Sequence, residues 1–206
     1  MSVNLDGVKE TIRALRKIDP ELLKEMNKEI KGVMIPIRDK ARDYAPTAAP
    51  GGLYNWDDGA KDKKITARTS AFRESTLGGS TRRLFPLYNA EATRKGIYYS
   101  QAPSKRNSRG WSSQYIVANA SASGAIYETA GRKNPGGSSK SRSNNPRAGA
   151  NFISRMGPLY GPDQASRGRM IYRAWYEDQG KAKAAVVRAI ENTIAAFNQG
   201  RYDKAA

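Results

Sequence analysis

Residues 19–46 read DPELLKEMNKEIKGVMIPIRDKARDYAP, and their periodicity decides the fold class. Asp19-Pro20-Glu21 is a helix start: Asp as N-cap, Pro at the first helical position, Glu where the helix dipole favours an acid. Leu22, Met26, Ile30, Val33, Ile37, Ala41 and Tyr44 then recur at steps of three and four, which lays a continuous apolar stripe on one helix face. Pro36 falls inside the stripe and removes a backbone donor, so a kink is expected there. Ala45-Pro46 ends the helix. A stripe this long must bury against other elements, so the rest of the chain has to supply them.

Upstream, Val8, Ile12, Leu15 and Ile18 share one face at helical spacing. Downstream, residues 47–64 form a polar loop with Pro and Gly, carrying Tyr54 and Trp56. Short stretches rich in Tyr, Ile and Val follow at 84–88, 96–100, 113–118 and 125–128, separated by polar turns, and read as strands. Residues 131–151 (GRKNPGGSSKSRSNNPRAGAN) have almost nothing to bury, so they read as a flexible arm or inserted loop. Val186 or Val187, Ile190, Ile194 and Phe197 mark a second amphipathic helix, with Gly200 as its expected stop. The expectation is one α+β domain over residues 1–206. N- and C-terminal helices (1–46 and 170–200) pack on a small antiparallel sheet of about four strands (65–130), and a flexible basic arm or loop occupies 131–169.

Charge and chemistry narrow the function. Lys and Arg number 36 against 19 Asp and Glu, a formal net charge of +17, with neither His nor Cys. The surplus concentrates in residues 92–169, where thirteen Lys or Arg face two acids, Glu128 and Asp163. Polyanionic surroundings or acidic partners are implied. Without His and Cys, the commonest acid–base group, the commonest nitrogen metal ligand and the thiolate nucleophile are gone. The Asp57–Asp62 cluster lacks the alternating acids and distal Glu of a calcium loop, and no glycine-rich stretch ends in the Gly-Lys-Ser/Thr of a phosphate-binding loop. The expectation is a protein that is not an enzyme and carries no cofactor or metal; a phosphodiester-cleaving enzyme working through Asp57 and Asp58 is the weaker reading. No apolar run approaches a membrane span, and the opening residues lack a signal peptide's apolar core, so synthesis in the cytoplasm is expected.

Candidate contact residues come from the basic and aromatic side chains of the loops: Tyr54, Trp56, Lys105, Arg106, Arg109, Trp111, Arg132, Lys133, Lys140, Arg142 and Arg147. Basic groups supply phosphate or carboxylate contacts and aromatics supply stacking or interface anchors. Each aromatic has core packing as its competing role.

Four stretches resemble, in order, the tail-completion or head–tail joining proteins of long-tailed phages, the family of the minor tail protein Z type. Residues 3–46 (VNLDGVKETIRALRKIDPELLKEMNKEIKGVMIPIRDKARDYAP) look like the family's opening: a short strand, Gly, a short helix, then a long amphipathic helix ending in Ala-Pro. Thr69-Ser70-Ala71-Phe72-Arg73-Glu74-Ser75 resembles its Thr-Gly-x-Leu-Arg-x-Ser element, with Ser70 in place of Gly. Ala125-Ile126-Tyr127-Glu128-Thr129-Ala130-Gly131 is similar to its Tyr-x-x-x-Glu-x-Gly element. Residues 170–175 and the helix after them resemble its entry to a C-terminal helix, without the prolines. The resemblance implies a non-catalytic virion subunit in a hexameric ring at the phage neck. Its neighbours would be neck, tail-terminator or tail-tube proteins, with possible nonspecific contact to DNA in the channel and no membrane. The alternatives are the adjacent tail-terminator ring and a standalone nonspecific nucleic-acid-binding protein.

Overall fold

The structure, a computed structural model, describes residues 12, 13, 15–17, 19–53, 56, 57, 74–77, 80–83, 86–102, 115–136 and 145–203. Its class is α+β. Helix α1 spans Pro20–Asp43 and holds Pro36 in its interior. Asp19 caps it as its position predicts, its carboxylate accepting from Leu22 N at 3.1 Å. Met26, Ile30, Ile37 and Ala41 of the expected stripe are buried, and Met34 joins them.

The sheet expected from sequence is replaced by two separate two-stranded sheets. Strand β1 (Glu74–Leu77) pairs antiparallel with β2 (Ser80–Arg83), Glu74 opposite Arg83 and Leu77 opposite Ser80. Strand β3 (Ile97–Ser100) pairs with β4 (Ile116–Asn119). Of the stretch at 84–88, residues 86–88 are described and form no strand, with Tyr88 making an isolated bridge to Asp57; Leu84 and Phe85 lie outside the described residues. Immediately after it lies a helix absent from the sequence reading, α2 (Ala90–Gly96), capped by Asn89 accepting from Ala92 N.

The stretch at 125–128 is helical, inside α3 (Ala122–Thr129). Ile and Tyr there have strand propensity, but Ser121 accepts from Gly124 N and starts a helix. Gly124 then matters for space, since a Cβ there would overlap the Asn119 side chain. Thr93 and Ser123, both buried, bond through their hydroxyls at 3.1 Å where α2 and α3 meet.

The expected arm is built differently. Within residues 131–169, those from 145 onward are placed: α4 (Ala148–Ser154) forms, and Met156 and Arg169 are buried. Residues 137–144 lie outside the described set. The last helix, α5, spans Ile171–Asp203 and continues through Gly200, so that glycine is not its stop. Its buried positions are Ala174, Ala182, Ala189 and Thr193; of the larger apolar residues read from the sequence, Val186, Ile190 and Phe197 are half-buried, while Val187 and Ile194 are exposed. Small side chains on the buried side let the helix backbone approach its neighbours closely.

Contacts group the chain into two compact units. One comprises Met1–Lys40, Tyr99–Ala118 and Ala174–Ala206; the other comprises Ala41–Tyr98 and Asn119–Arg173. In the first, Met26, Ile30, Met34 and Ile37 are buried, as are Ile12, Leu15 and Ala174, Ala182 and Ala189 of α5. Lys40 Nζ reaches Glu177 at 3.0 Å and Asp178 at 2.8 Å. Tyr115, in the left-handed region at φ 55°, donates its hydroxyl to Asn27 Oδ1, and burial pushes that hydroxyl's pKa up to about 12.

Candidate functional site

The second unit contains the densest chemistry. Its floor is aromatic. Trp56 is 4% exposed and donates Nε1–H to Pro86 O at 2.8 Å. Its ring meets Tyr88 and Phe152, each at 5.1 Å between centroids, and Tyr88 meets Tyr127 edge-on at 6.4 Å. Tyr88 is wholly buried and donates its hydroxyl to Pro46 O. Burial, then the neighbouring Tyr127, drives the Tyr88 hydroxyl well above its ordinary value, so it stays a donor at any physiological pH.

Above this floor, α3 and α5 are tied by a buried acid and a buried base that cap each other's helices. Glu128, in the last turn of α3, sends its carboxylate to the start of α5, where it accepts from Met170 N at 2.6 Å and Tyr172 N at 2.9 Å. Those N–H groups have no partner inside their own helix, and the dipole favours a negative group there. Arg169, two residues before the start of α5, returns the arrangement. Nη1 donates to Tyr127 O at 2.7 Å and Ala130 O at 2.9 Å, at the end of α3, while Nε donates to Gly157 O at 3.0 Å. A cation on the terminal carbonyls of α3 satisfies the mirror requirement.

Glu128 and Arg169 are 4% and 3% exposed, so neither charge is solvated and each depends on these bonds. Burial raises the Glu128 pKa above its ordinary value, opposed by the N–H groups of Tyr172, Met170 and Ile171 and by Arg132. Burial lowers that of Arg169, opposed by Tyr127 and Glu128. Gly168 makes room for this clasp, because a Cβ there would overlap Glu128 Oε1 and crowd Tyr172.

Arginine–tyrosine stacking frames the clasp. Arg132 lies over Tyr172 at 4.3 Å, and Arg169 over Tyr127 at 5.7 Å. Arg173 lies between two rings, Tyr44 at 4.0 Å and Tyr160 at 4.3 Å. Arg132 Nη1 donates to Ala165 O at 3.3 Å, and Arg167 Nη2 donates to Arg132 O at 3.0 Å. The segments around 132 and 160–173 are thus locked to each other by basic side chains on backbone carbonyls.

Of the contact residues expected from sequence, Arg132 enters this arrangement half-buried, while Lys133 and Arg147 are exposed. Trp56 is a core residue, which corrects its reading as an exposed anchor: its ring fills the aromatic floor. Tyr54, Lys105, Arg106, Arg109, Trp111, Lys140 and Arg142 lie outside the described residues, as does Asp58. Arg169, Arg167 and Gly168 were missed. The available signal was Glu128 itself, one of two acids in a long basic stretch, together with a glycine set between two arginines.

The clasp is a fastening, with its polar atoms spent on backbone groups. Among the described residues no group of three or more Asp or Glu is placed to hold a metal ion, and no helix is long and apolar enough to cross a membrane. Comparison with family models, with curated proteins and with solved structures finds no match to this chain.

Proposed function

We propose that this chain is a structural virion protein of a long-tailed phage: a tail-completion or head–tail connector subunit of the neck, acting in a ring, with six copies as the family resemblance implies. The observation that carries the reading is the order of the four resembling stretches. It is supported by the way two of them meet. Glu128, of the element at 125–131, caps the helix entry at 170–175, more than forty residues further on. An element spent on fastening two helices suits a subunit whose work is to hold shape under load rather than to turn over a substrate.

The surplus of positive charge suits such a ring in two ways. It pairs with acidic faces of adjacent rings and tolerates DNA in a channel. Catalysis forms no part of this reading. The adjacent tail-terminator ring would use the same features. A standalone nucleic-acid-binding role draws on the exposed Lys133 and Arg147 and the net charge of +17. Duplex affinity that stays submicromolar at roughly 200 mM salt favours that role over the neck.

The deciding experiment is electron microscopy of a phage lysate lacking this gene product, before and after adding the purified protein. Separate filled heads and tails that join into infectious particles on addition are expected. Normal virions in its absence would remove the neck reading.

A further inference from the structure

The Arg132 guanidinium is held at one face and at Nη1 and is unsatisfied along its Nε–Nη2 edge. Its flat face lies on the Tyr172 ring at 4.3 Å, and Nη1 donates to Ala165 O at 3.3 Å. Its backbone carbonyl is gripped by Arg167 Nη2 at 3.0 Å. Nε and Nη2 of Arg132 are buried with no hydrogen-bond partner, and so is Arg167 Nε. In a guanidinium, the Nε–H and one Nη2–H point the same way and form the fork that takes a carboxylate through two parallel bonds. Buried donors without acceptors are rare in folded proteins, because each costs its lost hydration.

Among the described residues no nearby acid is free to fill that fork. Around it stand Arg132, Lys133, Arg167 and Arg169, against Glu128 and Asp163. Glu128 spends both oxygens on Met170 N and Tyr172 N. Asp163 accepts from Ala165 N and Ser166 N at 2.8 Å. Neither makes an ion pair with Arg132 or Arg167 among the described residues. The flanks are open: residues 133–136 and 162–165 are exposed. The donors themselves are sealed from solvent, so an acidic group from outside the chain has to displace the exposed segments 133–136 and 162–165 to reach them.

We propose that Arg132, backed by Arg167, is a docking point for a carboxylate of a partner protein, an Asp or Glu side chain inserted against the Nε–Nη2 edge. The edge is recessed and planar, which fits a narrow, planar oxyanion at the tip of a side chain. A duplex offers tetrahedral phosphates on a broad surface, which exposed lysines meet better than a recessed fork. The tyrosine beneath fixes the fork before the partner arrives, so little side-chain entropy is lost on docking. The proposal stands whether or not the chain belongs to a phage neck.

The test is proton–nitrogen NMR of the arginine Nε–H groups in the full-length chain, titrated with acetate at ionic strength held constant with chloride. Parallel titrations use inorganic phosphate and a short DNA duplex. The Arg132 Nε–H signal should move saturably with acetate, with a dissociation constant on the order of 10 mM, as expected for one forked contact. Acetate should also raise the melting temperature above the chloride control. Arg132→Lys keeps the charge and loses the fork, so it should weaken that stabilisation about tenfold in acetate concentration; if that variant does not fold, Arg167→Lys is read the same way. A signal that follows chloride alone overturns the proposal, as does stabilisation retained in the folded Arg132→Lys. A shift driven by duplex or phosphate in preference to acetate replaces the carboxylate with a nucleic-acid contact.

Discussion

Replacing Arg169 by methionine keeps most of the side chain's volume and stem packing while removing every donor. Three carbonyls lose a charged partner at once: Tyr127 O, Ala130 O and Gly157 O. A hydrogen bond to a charged group contributes about 1.5–3 kcal/mol net when its loss leaves a buried partner unsatisfied. Simple addition would give about 4–9 kcal/mol, but a carbonyl tolerates loss better than an N–H, and methionine no longer has a charge to desolvate. A net cost of about 3–4 kcal/mol follows. For a chain of this length each kcal/mol lowers the melting temperature by about 2–4 °C, so a fall of roughly 10 °C is expected. Lysine at the same position holds a point charge and reaches fewer of the three carbonyls, so it should recover less than half of the loss. The assay is thermal and urea unfolding followed by far-ultraviolet circular dichroism and by tryptophan fluorescence, since Trp56 sits in the same unit. Arg169→Met within 1 kcal/mol of the parent would refute the reasoning, because it would mean that the ends of α3 and α5 are held by something else.

Two further outcomes follow from the same clasp. Gly168→Ala places a Cβ against Glu128 Oε1 and should cost about 2–3 kcal/mol; the cost should shrink in a Glu128→Ala background, as a double-mutant cycle would measure, and an unchanged cost would locate the clash elsewhere. Burial raises the Glu128 pKa above its ordinary 4.5, so the stability it contributes is complete below pH 4.5 and lost as pH rises through the raised value; the stability of the parent relative to Glu128→Gln, taken from urea unfolding at a series of pH values, should therefore fall as pH rises above 4.5, whereas a rise would mean that the helix N–H groups outweigh burial.

How much of this was legible in the sequence depended on whether the signal was local. Helix α1 was readable because its cap and its stripe both lie within it: Asp19 meets Leu22 N, and Met26, Ile30, Ile37 and Ala41 face inward. Strands β3 and β4 were readable from Ile, Tyr and Val in short runs. Helix α3 was not, because Ile126 and Tyr127 carry strand propensity and the deciding residue, Ser121, lies before the run and acts through one bond to Gly124 N. The buried face of α5 was legible only in part. Val186, Ile190 and Phe197 are half-buried as their spacing suggests, but Val187 and Ile194 are exposed and the fully buried positions are Ala182, Ala189 and Thr193, and small residues leave little mark in a hydropathy pattern.

The clasp was the least legible of all, because it joins residues about forty positions apart by side chain to backbone bonds, and no periodicity reports those. Residues 145–169 were read as part of an arm or loop continuing from the poorly apolar stretch at 131–151, but they are anchored by Phe152 on Trp56, by Met156, and by arginines on carbonyls. Basic composition was read as charge offered to polyanionic surroundings or acidic partners, and here part of it serves as internal mortar: Arg169 is buried, and Arg132, Arg167 and Arg173 each bind tyrosine rings or backbone. The net charge of a chain therefore overstates the charge it offers a partner. The arginines that matter for recognition are those, like Arg132, whose fork is fixed by the fold and left without an acceptor inside it.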